Sequence, residues 1–411
     1  MFSAFVITNC SLPIVEITRH NLGTMTLSDH RSSCRLPNLE ARKATLDRCV
    51  FCPKLCRSAC PVSNAEPRET VTPWGKMSMA HFAANESVDL AKSFAEPAWA
   101  CTGCFGCRDH CDHKNDVAGT LFEARSAFVS ERVAPDAAMR TIERFAERAS
   151  VLADDARRLE SLAGLVEICS SHSKNVLLVG CEYARAAAAH GDDVTLDAVR
   201  ATAKLVGGPI SLASVCCGAP LLYAGDKKGF VAQGAAFAAA MAGKDLLVVL
   251  DPGCMTTLRI HHPAAGTTMP FRMVHFTELA ASKIDMLRPA AGIEAGIEGH
   301  APLRYHDPCQ LGRGLGIYDE PRALLARALG RAPDEFARCK QEAQCSGAGG
   351  LLPVTMPAVS KAITANRLAD HEAEGGGTVI TACASSARSF RKQGAKVVDL
   401  VTLVARALGV R

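Results

Sequence analysis

The sequence predicts an α/β protein in three parts: a helical, cysteine-dense N-terminal domain, then two related α/β lobes with mostly parallel strands. Three observations carry this. Residues 41–125 hold eight cysteines in two tight runs. From residue 173 onward, short apolar runs alternate with helical patterns, as α/β units require. The cysteines of that region recur at nearly constant spacing, as in a duplicated unit.

Size and composition allow this organisation. A chain of 411 residues carries a prior of two to three domains. With 48% hydrophobic and 21% charged residues it can bury sizeable cores and is not a disordered chain. Its 46 basic and 42 acidic residues leave a net charge of +4, too near balance to point to a nucleic-acid partner. Apolar runs are broken by charge or glycine well before the roughly 20 residues that a membrane span needs. Nineteen cysteines is an odd number, and the chain is far larger than a disulfide-stapled secreted domain. The start, MFSAFVITNC, lacks a basic n-region and a cleavage pattern. The expected setting is cytoplasmic and reducing, where clustered cysteines serve as metal ligands or redox groups.

Along the chain, residues 1–40 read as an unstructured lead-in, and Met25 offers a second start. Residues 41–125 are the cysteine-dense domain. Residues 126–172 are rich in Ala, Arg and Glu, with apolar positions recurring at three and four, and read as a helical linker. The first lobe spans 173–288, with expected strands at VLLVG (176–180) and LLVVL (246–250). The second spans 303–411, with LRYH (303–306), TVIT (378–381) and KVV (396–398). Cys217 to Cys254 and Ser346 to Cys383 are each 37 residues apart; Cys181 to Cys217 is 36 and Cys309 to Ser346 is 37. Each unit continues into a strand and helix, RMVHFTELAAS and KVVDLVTLVARAL. The Gly-rich stretch 289–302 divides the lobes.

The two N-terminal runs carry the clearest chemistry. The first is Cys49, Cys52, Cys56, Cys60 and then Pro61; the second is Cys101, Cys104, Cys107 and Cys111. The second has the C-x2-C-x2-C-x3-C order of bacterial ferredoxins, and the first has x3 in place of the middle x2. Three thiolates of such a run wrap one cubane and the fourth serves the other. The expected sets are therefore Cys49, Cys52 and Cys56 with Cys111, and Cys101, Cys104 and Cys107 with Cys60. This makes the N-terminal part a ferredoxin-like domain with two 4Fe-4S clusters. Gly103 and Gly106 suit a close backbone approach to a cluster. Zinc is the competing occupant, since it also accepts pairs of C-x2-C, but four thiols in a tight run exceed what each zinc pair needs. Two adjacent cubanes make a wire for single electrons.

With these motifs the chain resembles the family of heterodisulfide reductase and anaerobic glycerol-3-phosphate dehydrogenase iron–sulfur subunits, over about residues 45–408. Its carriers are the two cubane runs, Cys216-Cys217-Gly218, TPWGKM (72–77), YHDPCQLGRGLGIYDEPRALL (305–325) and CSGAGG (345–350). Trp74 stands where the family usually has Arg. The resemblance implies cofactor-binding roles for Cys181, Cys216, Cys217 and Cys254 in the first lobe and for Cys309, Cys345 and Cys383 in the second. It also implies a further iron–sulfur cluster or a catalytic thiol site at Cys216 and Cys217. The chain departs from the pattern at Asp251, Ser346 and Ser386, which stand where cysteines belong, and serine is a poor iron ligand. The first lobe is thus the better cluster site. His306 and Asp307 are candidates for cluster tuning or proton relay, Arg313 for an anion, and the glycines of 347–350 for phosphate; each also has an ordinary packing role. Cys10, Cys34, Cys169 and Cys339 fall outside every pattern.

No nucleotide-binding G-x-G-x-x-G with an acidic partner, no Walker loop and no H-E-x-x-H is present. Hydride chemistry would then fall to a redox partner subunit, a flavin dehydrogenase or another electron carrier. The expected function is an electron-transfer subunit of a heterodisulfide-reductase-like or dehydrogenase complex, reaching the inner face of a membrane only through a partner. A self-contained disulfide or thiol reductase is the second reading, and a zinc-stabilised scaffold the third.

Overall fold

The computed structural model describes residues 35–161, 165, 167–190, 193–289 and 301–411. Residues 1–34 of the expected lead-in over 1–40, with Cys10, Met25 and Cys34, and residues 290–300 of the Gly-rich stretch 289–302 lie outside these. The last residues of that expected lead-in are packed: Leu36 and Leu39 are buried, and a 3-10 helix runs over Pro37–Arg42.

The N-terminal domain is built from short helices. In order they are α1 (Lys43–Val50), α2 (Pro61–Ala65), α3 (Pro73–Ala84), α4 (Lys92–Ala95), α5 (Gly106–Asp109) and α6 (Val117–Ser130). Local sequence sets their starts. Pro61 and Pro73 occupy first-turn positions, where a missing N–H costs nothing. The Thr72 hydroxyl accepts the Gly75 N–H at 3.0 Å, and the Asp116 carboxylate accepts the Gly119 N–H at 3.0 Å. Leu36, Leu39, Leu46, Met77, Trp99, Leu121 and Phe128 form the core between them. Helix α6 crosses the expected domain boundary at 125, because its apolar residues belong to this core. The long α7 (Asp136–Glu160) then fills most of the expected helical segment.

Two parallel four-stranded sheets follow. The first has β1 (Asn175–Leu178), α8 (Cys181–His190), α9 (Asp193–Val206), β2 (Ser211–Leu212), α10 (Ala219–Ala224), α11 (Lys227–Ala240) and β3 (Leu246–Val249). It continues with α12 (Pro252–Thr256), α13 (His262–Ala264), β4 (Met273–His275) and α14 (Phe276–Ser282). The second has β5 (Leu303–Tyr305), α15 (Asp319–Leu329), β6 (Asp334–Glu335), α16 (Leu352–Thr355), α17 (Pro357–Ala373), β7 (Thr378–Thr381), α18 (Ala384–Arg391), β8 (Lys396–Asp399) and α19 (Leu400–Ala407). The sheet orders correspond, β2-β1-β3-β4 and β6-β5-β7-β8, and every pairing is parallel. The apolar runs expected as strands are β1, β3, β5, β7 and β8. The two-residue edge strands β2 and β6 lack such a run. One apolar core spans both lobes, from Leu177 and Val248 to Leu303 and Leu403. Across it, Tyr183 Oη donates to Asp399 Oδ2 at 2.9 Å.

Candidate functional site

The eight N-terminal cysteines stand at helix ends and in the loops between helices, where backbone geometry is free to wrap a group. Cys49 lies near the C-terminus of α1 and Cys60 caps α2. Cys49 is within electrostatic reach of Cys56, Cys52 and Cys111 and bonds Asn115. Burial, then the neighbouring Cys56, pushes its thiol up to about 12. Cys56 is pushed up to about 11 by burial and then by Cys111. The other set is tighter. Cys60, Cys101, Cys104 and Cys107 line one cavity together with Lys76. Burial raises the Cys107 thiol well above its usual value, with Cys60, Cys101 and Cys104 adding to it. Metal binding would take the protons from these thiols, since thiolate is the ligand form. The structure thus brings Cys60 to the second run and Cys111 to the first.

Among the described residues, no three His, Cys, Asp or Glu side chains gather as ligands of a single metal ion. Four thiols around one cavity match the donor set that a 4Fe-4S cluster takes.

In the lobes, the cysteines stand just beyond the C-terminal ends of the central strands: Cys181 after β1, Cys254 after β3, Cys309 after β5 and Cys383 after β7. This is the edge where open parallel sheets place their sites. In the first lobe, Cys181 bonds Cys216, Cys216 bonds Cys217, and Cys217 Sγ donates to Cys254 Sγ at 3.2 Å. The hydrogen bond to Cys216, then burial, raises the Cys181 thiol well above its ordinary range. Gly218 turns the chain at φ 86, and its N–H points at Cys216 Sγ at 3.5 Å. Asp251 caps α12 through the Cys254 N–H at 2.9 Å, and burial raises its carboxyl to about 6. Gln233 and His262 hold the carbonyls of Cys216 and Cys217, each at 2.8 Å.

The second lobe repeats the turn. Gly347 has φ 81, and its N–H points at Cys345 Sγ at 3.3 Å. The thiols, however, take other partners. Cys345 contacts Cys104 of the N-terminal domain as well as Cys309. Cys383 faces Ser386 and is within reach of Asp251. Ser346 and Ser386 hydrogen bond to each other at 2.9 Å. The structure therefore gathers four thiols in the first lobe and splits the three of the second.

The remaining candidates have structural partners. His306 is buried against Phe336, Phe390 and Arg367, and burial holds it well below its usual pKa. Asp307 takes two hydrogen bonds from Arg322, at 2.8 and 2.9 Å, and one from the Lys340 N–H. Arg313 donates to the carbonyls of Cys104, Gln341 and Ala343. Gly349 and Gly350 pack on the cubane loop: a Cβ on Gly349 would lie 2.5 Å from the Thr102 carbonyl oxygen and one on Gly350 2.2 Å from that of Cys101. Two further residues carry no sequence signal. Arg125 is fully buried and donates to carbonyls of Ala98, Cys101, Tyr223 and Gly350, tying all three parts together. Tyr223 is half-buried within reach of Cys217 and Cys309. Neither stands in a recognisable motif, and an arginine in a helix reads as solvated.

Residues 45–115 match the 4Fe-4S dicluster domain, and residues 176–259 and 303–390 match the cysteine-rich domain. The chain is similar to one subunit of the dihydromethanophenazine:CoB–CoM heterodisulfide reductase of Methanosarcina barkeri, 30% identical over 207 residues, 47% of this chain and 50% of that one. It is similar to one subunit of the fumarate reductase (CoM/CoB) of Methanothermobacter marburgensis, 25% identical over 328 residues, 77% of this chain and 61% of that one. An uncharacterized iron–sulfur protein of Methanocaldococcus jannaschii is 23% identical over 404 residues, 91% of this chain and 76% of that one. The chain spans about half the length of the heterodisulfide reductase subunits it matches.

Proposed function

We propose, for a chain that belongs to the iron–sulfur proteins joining a 4Fe-4S dicluster domain to paired cysteine-rich domains, an electron-transfer role. It serves as a subunit of a heterodisulfide-reductase-like or dehydrogenase oxidoreductase complex. Single electrons pass between two cubanes and the cysteine site of the first lobe. The cubanes supply one-electron transfer; the chain's own residues hold, space and insulate the sites. Cys49, Cys52, Cys56 and Cys111 hold one, and Cys60, Cys101, Cys104 and Cys107 the other. Cys181, Cys216, Cys217 and Cys254 form the lobe site.

The observation that carries this reading is the single cavity lined by Cys60 from one run and three cysteines from the other. A second supports it: Cys104 contacts Cys345, which contacts Cys309, so sulfur atoms continue from the cubane domain into the lobes. The helix that carries Cys254 is joined to the same place, since Thr256 Oγ1 donates to the Gln310 carbonyl at 3.1 Å. The printed names of the relatives are those of complex subunits, which supports a redox partner, a flavin dehydrogenase or another electron carrier. Among the described residues no helix is long and apolar enough to cross a membrane, so any membrane contact by a helical span would come through that partner.

A disulfide or thiol reductase centred on Cys216 and Cys217 is the second reading, favoured by the close, buried Cys217–Cys254 pair. Iron and acid-labile sulfide per anaerobically purified chain, with EPR of both redox states, test the proposal. About eight irons and the spectrum of two coupled cubanes are expected from the N-terminal domain alone. About twelve or more, with an added signal lost in Cys217→Ser, extends the site into the first lobe and favours the second reading. Zinc in place of iron overturns both.

A further inference from the structure

We infer that three buried cations, Lys76, Arg125 and Arg313, build a potential step into the chain. The set Cys60, Cys101, Cys104 and Cys107 holds its cubane at a higher reduction potential than the set Cys49, Cys52, Cys56 and Cys111. This rests on the cubane reading above.

The asymmetry lies in what surrounds each set. Lys76 projects from α3 into the cavity of the inner set; it is 2% exposed, and its Nζ is 3.5 Å from Cys60 Sγ. An ammonium group so buried needs an anion, since desolvation costs several kcal/mol. The groups that face it are the sulfurs of Cys60, Cys101 and Cys107, so its burial makes sense when they are thiolates. Arg125 donates to the Cys101 carbonyl at 2.9 Å and Arg313 to the Cys104 carbonyl at 2.7 Å. Both guanidinium groups are buried, and among the described residues their hydrogen bonds end on carbonyl oxygens rather than carboxylates. Three positive charges thus bear on the inner set.

The outer set has different neighbours. The cations of its loop, Lys54 and Arg57, are exposed and paired with Glu69. Water and counter-ions screen such charges. In the outer set Cys49 is buried and Cys52, Cys56 and Cys111 are half-exposed; in the inner set Cys60 and Cys104 are buried and Cys101 and Cys107 half-exposed.

Adding an electron makes a tetrathiolate cubane more negative. Burial alone disfavours that; buried cations favour it, and act most strongly where the dielectric is low. With three of them buried at the inner set, and Lys54 and Arg57 at the outer exposed and screened, the inner set is the electron sink. Electrons entering at the half-exposed edge then run inward, toward the side of Cys104 that meets Cys345.

EPR-monitored potentiometric titration of the anaerobically purified full chain tests this. Cys56→Ser identifies the outer signal by perturbing it. In the otherwise native chain, the signal not perturbed by Cys56→Ser is expected to have the higher midpoint. Lys76→Met is expected to move that midpoint to lower potential and leave the other in place, and Lys76→Arg to stay near the native value. If the outer signal has the higher midpoint, the inference is overturned even where Lys76→Met fails to fold. Two intact cubane signals with midpoints unmoved by Lys76→Met also overturn it. Absence of cubane signals from the native chain overturns the proposed function instead.

Discussion

The two lobes share a scaffold and differ at the atoms that matter for metal. Their sheets have corresponding order, their central strands end in cysteines, and each has a left-handed glycine whose N–H points at the preceding thiol. In the first lobe, Cys217 is buried 3.2 Å from Cys254. In the second, the equivalent position is Ser346, whose hydroxyl hydrogen bonds to that of Ser386. The second lobe sets Cys345, Gly349 and Gly350 against the Cys101–Cys104 loop.

The turn glycines give the sharpest contrast. A Cβ on Gly347 would lie 2.6 Å from the Ser360 carbonyl oxygen, a backbone atom that cannot step aside. On Gly218 it would meet the flexible Gln233 side chain at 3.1 Å. Gly347→Ala should cost about 3 kcal/mol and Gly218→Ala about 1–2 kcal/mol, mostly left-handed backbone strain. Urea denaturation of both checks this, and equal costs would break the distinction.

The contact between lobes is next. Tyr183→Phe removes the donor from the buried Asp399 carboxylate and should cost about 1–3 kcal/mol. Burial raises the Asp399 carboxyl to about 6, above the usual value near 3.9. The native state therefore binds its proton more tightly than the unfolded chain. That stabilising contribution is full below about pH 4 and is lost as pH rises through about 6. Without the tyrosine the carboxyl rises further, so the cost of Tyr183→Phe should be larger at pH 7.5 than at pH 5. A cost that falls with pH would contradict this.

The serine pair should have the smallest effect. Ser346→Ala or Ser386→Ala alone leaves one buried hydroxyl without its partner and should cost about 1 kcal/mol; the double substitution should cost less than the sum. A double-mutant cycle on thermal unfolding reads the coupling, and strict additivity would mean that the pair is incidental.

Much of this was legible in the sequence because its signals are local. Cysteine spacing within a loop dictates which thiols can surround one group, and apolar runs of four or five residues announce central strands. The edge strands β2 and β6 were illegible, because two residues carry no pattern. Arg125 was illegible because its four carbonyl partners lie up to 225 residues away. The packing of Arg313, Gly349 and Gly350 on the Cys101–Cys104 loop was illegible for a related reason: nothing nearby in the chain announces it.

By itself, then, the sequence determined the cysteine runs, the duplicated lobes and the loss of two thiols from the second. Only the tertiary structure decided that Lys76, Arg125 and Arg313 converge on one cysteine set, and that Ser346 closes on Ser386. Burial and long-range pairing are properties of the folded interior, where the cost of an unpartnered charge or hydroxyl selects neighbours that spacing along the chain does not reveal.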